Sequence, residues 1–147
     1  AACIELLDFY QVPLEGKHVV VVGRSLVVGK PVSMMLLRRN ASVTICHSKT
    51  EHLAGIMRSA DVVICATGRA RAFGAEFFSP GQTVLDVGMN CDTQGNLCGD
   101  VDFAEVEPVV GAVTPVPGGI GPVPTSVTMA HTVAAAEAVL AAHGAGR

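Results

Sequence analysis

Residues 17–50 read KHVVVVGRSLVVGKPVSMMLLRRNASVTICHSKT, and this stretch decides the fold. It opens on four consecutive valines, Val19 to Val22, as expected of a strand buried on both faces of a parallel sheet. A glycine loop follows, Gly23-Arg24-Ser25-Leu26-Val27-Val28-Gly29, and then a helix is expected over residues 31–40 with Pro31 tolerated near its first turn. Residues 42–47 form a second strand. Gly23 allows a sharp exit from the first strand, and Gly29 lets the helix begin close to the sheet. A helix placed this way presents unpaired N–H groups and a positive dipole end to a phosphate. The loop departs from G-x-G-x-x-G, because Ser25 stands where the middle glycine would be. Even so, its place between strand and helix reads as a dinucleotide-binding unit.

Working outward, a short apolar helix is expected over residues 3–10 and a turn at 14–17. A helix follows over 50–60 with Thr50 as its N-cap. Further strands are expected at 61–68, 83–90, 97–101 and 112–116, with a turn at Pro80-Gly81. An alanine-rich helix over 125–142 closes the chain, and 143–147 is a frayed tail. Strands alternating with helices give an α/β class: a Rossmann-type, doubly wound, mostly parallel sheet flanked by helices. Residues 17–142 make up this unit, and 1–16 are the remnant of an interdomain helix and linker. Ligands of such sheets bind at the carboxyl ends of the strands, where Gly23, Ser48, Gly68 and Gly88 collect.

Composition narrows the function. A chain of 147 residues with a formal net charge of −3 has no basic stripe, which argues against nucleic acid. No apolar run approaches the roughly 20 residues that span a bilayer. Five cysteines, Cys3, Cys46, Cys65, Cys91 and Cys98, form no CxxC pair. They read as reduced, buried thiols of a cytoplasmic protein, and no metal site is expected. The start at Ala1 without Met and without a signal peptide reads as a trimmed or excised chain.

The second strand discriminates between cofactors. NAD-binding domains usually place Asp or Glu about 20 residues past the glycine loop, on the ribose 2′-hydroxyl. Here the strand ends Cys46-His47-Ser48-Lys49-Thr50, with no carboxylate before Glu51. A 2′-phosphate would meet the Ser48 hydroxyl, the Lys49 cation and Arg24 reaching across from the loop, which favours NADP. The expected cofactor-binding set is Gly23, Arg24, Ser25, Val28, Gly29, Ser48, Lys49, Gly68 and Met89. Pro117-Gly118-Gly119, after the last strand, joins a residue of fixed φ to two permissive ones, so backbone there can approach a flat ring.

The segments GKHVVVVGRSLVVGKP, NASVTICHSKT, ADVVICATG, VLDVGMN, GDVDF and TPVPGGIGP occur in this order, and together they resemble bifunctional methylenetetrahydrofolate dehydrogenase/methenyltetrahydrofolate cyclohydrolase. The resemblance runs from about Cys3 to Val139. It implies the second, NADP-binding domain of a two-domain oxidoreductase and hydrolase of one-carbon metabolism, acting on tetrahydrofolate derivatives and serving purine biosynthesis. It also implies a homodimer. In the family the Gly-Arg-Ser loop, the Ser of CHSKT and the apolar residue of DVG-x-N contact the cofactor, here Gly23, Arg24, Ser25, Ser48 and Met89. The substrate-side loop is Pro117, Gly118, Gly119, Ile120, Gly121 and Pro122. The family's catalytic Tyr and Lys lie in a Y-x-x-x-K motif of the first domain. Tyr10 is the only tyrosine here and is followed four residues on by Leu14, so no catalytic residue is assigned to this chain. The chain alone is expected to bind NADP weakly and to catalyse neither step. It also has Pro124 where the family places a Thr, shifting that hydroxyl to Thr125. The competing readings are the cofactor domain of a shikimate- or glutamyl-type dehydrogenase, against which CHSKT and PVPGGIGP argue, a non-catalytic nucleotide-binding module, and a structural dimerisation domain.

Overall fold

A computed structural model describes residues 1–144. Its centre is a parallel sheet of β1 (His18–Val22), β2 (Ser42–Cys46), β3 (Val62–Cys65), β4 (Thr83–Asp86) and β7 (Ala112–Val113), in the order β2-β1-β3-β4-β7. A separate antiparallel hairpin joins β5 (Asn90–Cys91) to β6 (Leu97–Cys98). The α/β, Rossmann-type expectation is therefore met. Successive side chains of a strand point to opposite faces, and the central strands divide their cargo accordingly. Val19, Val21, Val62, Ile64 and Leu85 pack on one face with Leu7 and Leu36 of the helices α1 (Ala2–Phe9) and α2 (Gly29–Leu37). Val20, Val22, Val63, Cys65 and Val84 pack on the other with Met57 of α3 (Leu53–Arg58) and Val106 of α4 (Phe103–Val106). Both faces are covered, which is why the strands read as unbroken apolar runs.

Element boundaries differ from the expectations for local reasons. The second helix begins at Gly29 and ends at Leu37, not at Asn40, because Asn40 turns to φ +59° and Ala41 N–H returns to the Leu36 carbonyl at 3.2 Å. Thr50 is not a helix cap. Its Oγ1 accepts the His47 N–H at 2.8 Å, and α3 starts only after His52, whose φ is +55°. The strand expected over 83–90 stops at Asp86. That expected over 97–101 shrinks to β6 in the hairpin, with Val101 bridging Phe73 separately. The strand expected over 112–116 keeps two residues, since Pro115 and Pro117 have no N–H to continue a ladder. The closing helix α5 (Val123–Gly144) takes in Pro124 in its first turn, where a missing N–H costs little, and His143, which is helical and not part of a tail. The remainder of the expected tail, residues 145–147, lies outside the described residues. Of the cysteines, Cys91 is exposed rather than buried, because it sits on the open β5–β6 hairpin; Cys3, Cys46, Cys65 and Cys98 are buried and all five are free.

Candidate dinucleotide-binding site

The strand order reverses between β1 and β3, and in open α/β sheets ligands bind outside the strand ends at that point. At the exit of β1, Gly23 has φ +127° and donates its N–H to the Cys46 carbonyl at 2.8 Å. A Cβ on Gly23 would overlap the carbonyl oxygen of Ala66 at the exit of β3, and one on Gly29 would overlap the Gly23 carbonyl. The loop is thus folded back onto its own strand, and only glycine fits at either point.

Ser25 explains the irregular motif. Its Oγ accepts the N–H groups of Val28 at 3.0 Å and Gly29 at 3.4 Å, while its carbonyl accepts that of Lys30 at 3.0 Å. Pro31 has no N–H, and Val32 bonds the Val28 carbonyl. The first turn of α2 is therefore satisfied from within. This corrects the expectation that the helix start itself offers free N–H groups. Within the glycine loop, the backbone N–H groups of Arg24, Ser25, Leu26 and Val27 have no protein acceptor among the described residues. Anion-binding capacity has moved one turn upstream, and the helix dipole still points the same way.

The register pairing Val22 with Cys46 carries Arg24 and Ser48 past the same end of the sheet. Residues 47–50 form a closed turn. Thr50 Oγ1 holds His47 N–H, the Thr50 N–H bonds the His47 carbonyl at 2.9 Å, and His47 Nδ1 accepts the Lys49 N–H at 3.2 Å. Ser48 Oγ has no partner among the described residues, and neither Arg24 nor Lys49 forms an ion pair there. All three side chains are exposed. Two cations and a hydroxyl thus lie exposed past the same end of the sheet, and no carboxylate is bonded to them.

Beyond the crevice, Gly68 follows β3 with φ +69°, and Met89, 66% exposed, follows β4 and runs beside Gly121. Residues 115–122 and 87–89 line a cleft of about 200 Å³. In it the Val116–Pro117 peptide is cis and Gly118 has φ +100°. Ile120 differs from its neighbours: it is 6% exposed and packs in the core with Leu7 and Val123, so it anchors the loop while still bordering the cleft. A larger groove of about 700 Å³ adjoins it, sharing Pro115, Gly118 and Gly119 and running between α1 and β4–β7, so size alone does not mark the site.

Sequence reasoning passed over three polar residues beside this cleft. Asp86, Asn90 and Asp100 sit in the quoted segments VLDVGMN and GDVDF, where an acid in an apolar strand was the available signal. Asp86 is 2% exposed and Asp100 fully buried. Burial pushes the Asp86 carboxyl above its ordinary value, opposed by three backbone N–H donors. Burial also pushes the neighbouring Cys65 thiol well up, with Asp86 and Asp100 adding to the effect.

The family described as tetrahydrofolate dehydrogenase/cyclohydrolase, NAD(P)-binding domain, matches residues 1–140. Bifunctional protein FolD of Carboxydothermus hydrogenoformans is 54% identical over 138 residues, covering 92% of this chain and 48% of the relative. The structure of a 5,10-methylenetetrahydrofolate dehydrogenase from the silkworm Bombyx mori superposes with a TM-score of 0.87 at 39% identity, covering 95% of this chain and 51% of that one. The Trypanosoma brucei methylenetetrahydrofolate dehydrogenase-cyclohydrolase, solved with NADP cofactor and inhibitor, superposes with a TM-score of 0.77 at 39% identity, covering 83% and 44%. The chain spans about half the length of the curated relatives it matches. It belongs to the tetrahydrofolate dehydrogenase/cyclohydrolase NAD(P)-binding domain family.

Proposed function

We propose that this chain is the NADP-holding half of a two-domain enzyme that oxidises 5,10-methylenetetrahydrofolate and hydrolyses the resulting methenyl bridge to 10-formyltetrahydrofolate. One observation carries the preference for NADP: the Arg24–Ser48–Lys49 spot is cationic and hydroxylated, with no acid where an NAD-binding strand would present one. The Trypanosoma brucei relative, described as complexed with NADP, supports the same reading. In it Gly23 and Gly29 give the room, the loop N–H groups and Val28 border the pyrophosphate, and Ser48, Lys49 and Arg24 hold the 2′-phosphate. Gly68 and Met89 flank the nicotinamide half, while Pro117, Gly118, Gly119, Gly121 and Pro122 wall the folate side and Ile120 anchors that wall.

NADP, when bound, supplies the hydride acceptor. What these residues contribute is orientation and exclusion of water, the entropic part of the barrier. In this reading the acid–base groups belong to the other domain of the parent enzyme, residues 17–142 form the cofactor unit, and residues 1–16 connect the two. The whole enzyme is a cytoplasmic homodimer of one-carbon metabolism, serving purine biosynthesis. Calorimetric titration of the chain with NADP and NAD tests the reading. Tighter binding of NADP supports it, and equal or reversed affinity overturns the cofactor assignment. Substantial dehydrogenase turnover by the chain alone would overturn the division of labour.

A further inference from the structure

Two buried carboxylates at the ends of β3 and β4 have no cation beside them: among the described residues neither Asp86 nor Asp100 forms an ion pair. Asp100 is met instead by five donors, four from residues 67–69 after β3 and one from Asn90 of β5. Its Oδ2 accepts Thr67 N–H at 2.5 Å, Thr67 Oγ1–H at 2.8 Å and Gly68 N–H at 3.2 Å. Its Oδ1 accepts Arg69 N–H and the Asn90 amide Nδ2–H, both at 3.0 Å. Asp86 holds Asp100 in turn, accepting the N–H groups of Asp100 at 3.0 Å, Val101 at 2.9 Å and Gly88 at 2.9 Å. The pair thereby ties together the segment after β3, the segment after β4 and residues 99–101.

A buried acceptor cluster of this kind is costly unless its acceptors are met by donors, and a fold that needed only stability could fill the space with apolar side chains. The tied segments are those carrying Gly68 and Met89, on the far side of the switch point from the Arg24–Ser48 spot. A dinucleotide lies across that point, so its nicotinamide half falls on the tied side. We propose that Asp100 is a positioning residue, whose carboxylate holds residues 67–69 and Asn90 in the arrangement that receives the nicotinamide half of the cofactor. The inference rests on the NADP reading above.

Asp100→Asn keeps the shape but removes one acceptor. Whichever way the amide turns, its NH2 faces at least two of the donors now bound. The test compares NADP with 2′,5′-ADP, a fragment that carries the 2′-phosphate but no nicotinamide, by calorimetric titration of wild type and variant, with thermal melts as the folding check. The expected result is a loss of about tenfold or more for NADP and less than about twofold for 2′,5′-ADP. Equal losses for the two ligands, or none for either, would refute the positioning role, as would a wild type that binds NADP no tighter than 2′,5′-ADP. A wild type that binds neither ligand would sink the NADP reading itself. If Asp100→Asn does not fold, Thr67→Val removes a single donor and is read by the same comparison, with a loss of about threefold expected for NADP alone.

Discussion

Replacing Ser48 by aspartate restores the carboxylate that an NAD-binding strand would carry, and the structure sets the size of the effect. The 47–50 turn is held by the His47 and Thr50 groups, not by the Ser48 side chain, so Ser48→Asp leaves the backbone bonds in place. The side chain is exposed, which puts the new charge at the water end of the dielectric range. Two unit charges about 4 Å apart interact by about 1 kcal/mol in water, and a 2′-phosphate carries up to about two charges. Repulsion of about 2 kcal/mol corresponds to roughly thirtyfold weaker NADP binding. NAD offers two ribose hydroxyls to the same carboxylate, so its affinity should hold or improve. Calorimetric titration of both cofactors at fixed ionic strength measures the two ratios. Because exposed charges are screened, the NADP penalty should also shrink as salt is raised. Equal loss for NADP and NAD, or an NADP loss below about threefold, would refute the placement of the 2′-phosphate against Ser48.

Gly29→Ala places a methyl against the Gly23 carbonyl, so it should lower stability by about 1–3 kcal/mol in denaturant melts and displace the loop enough to abolish detectable NADP binding; unchanged stability would contradict the close approach. Carboxyl groups followed by NMR should titrate in a definite order. Asp8, held down by the Arg39 guanidinium, and Asp92, held down by the Asn96 N–H, lose their contributions to stability as pH falls through values below 3.8. Asp86, pushed up by burial, works in the opposite sense: the folded state keeps its proton longer than the unfolded chain, so its contribution is greatest below 3.8 and falls as pH rises through its own higher value. An Asp86 midpoint at or below those of Asp8 and Asp92 would contradict this. A thiol reagent should label one cysteine quickly in the native protein, Cys91, because Cys46 and Cys98 are buried and burial pushes Cys3 up to about 11 and Cys65 well above a free thiol. Two or more fast thiols would show the core open.

Much of the fold was legible in residues 17–50 because its signals are local. Four valines cannot face water, a glycine between strand and helix marks a backbone approach, and a strand ending in Ser-Lys without an acid states a preference for an anion. Local signals also misled where a side chain had two possible partners. Thr50 looked like a helix cap, yet its hydroxyl serves the His47 N–H, and Ser25 looked like a missing glycine, yet its hydroxyl closes the first turn of α2. Ile120 belonged to a loop motif but is drawn into the core, which a motif of backbone-permissive residues does not reveal.

By itself, then, the sequence determined the class of fold, the unit that approaches a phosphate, and the absence of an acid at the acceptor end, because each is carried by residue types and their order along the chain. Only the tertiary structure decided which donors remain free. Ser25 consumes the N–H groups at the helix start, leaving those of residues 24–27, and Asp100 gathers donors from partners up to 33 residues away. Hydrogen-bond capacity is finite, and who uses it is settled by distance in space, which spacing along the chain does not carry.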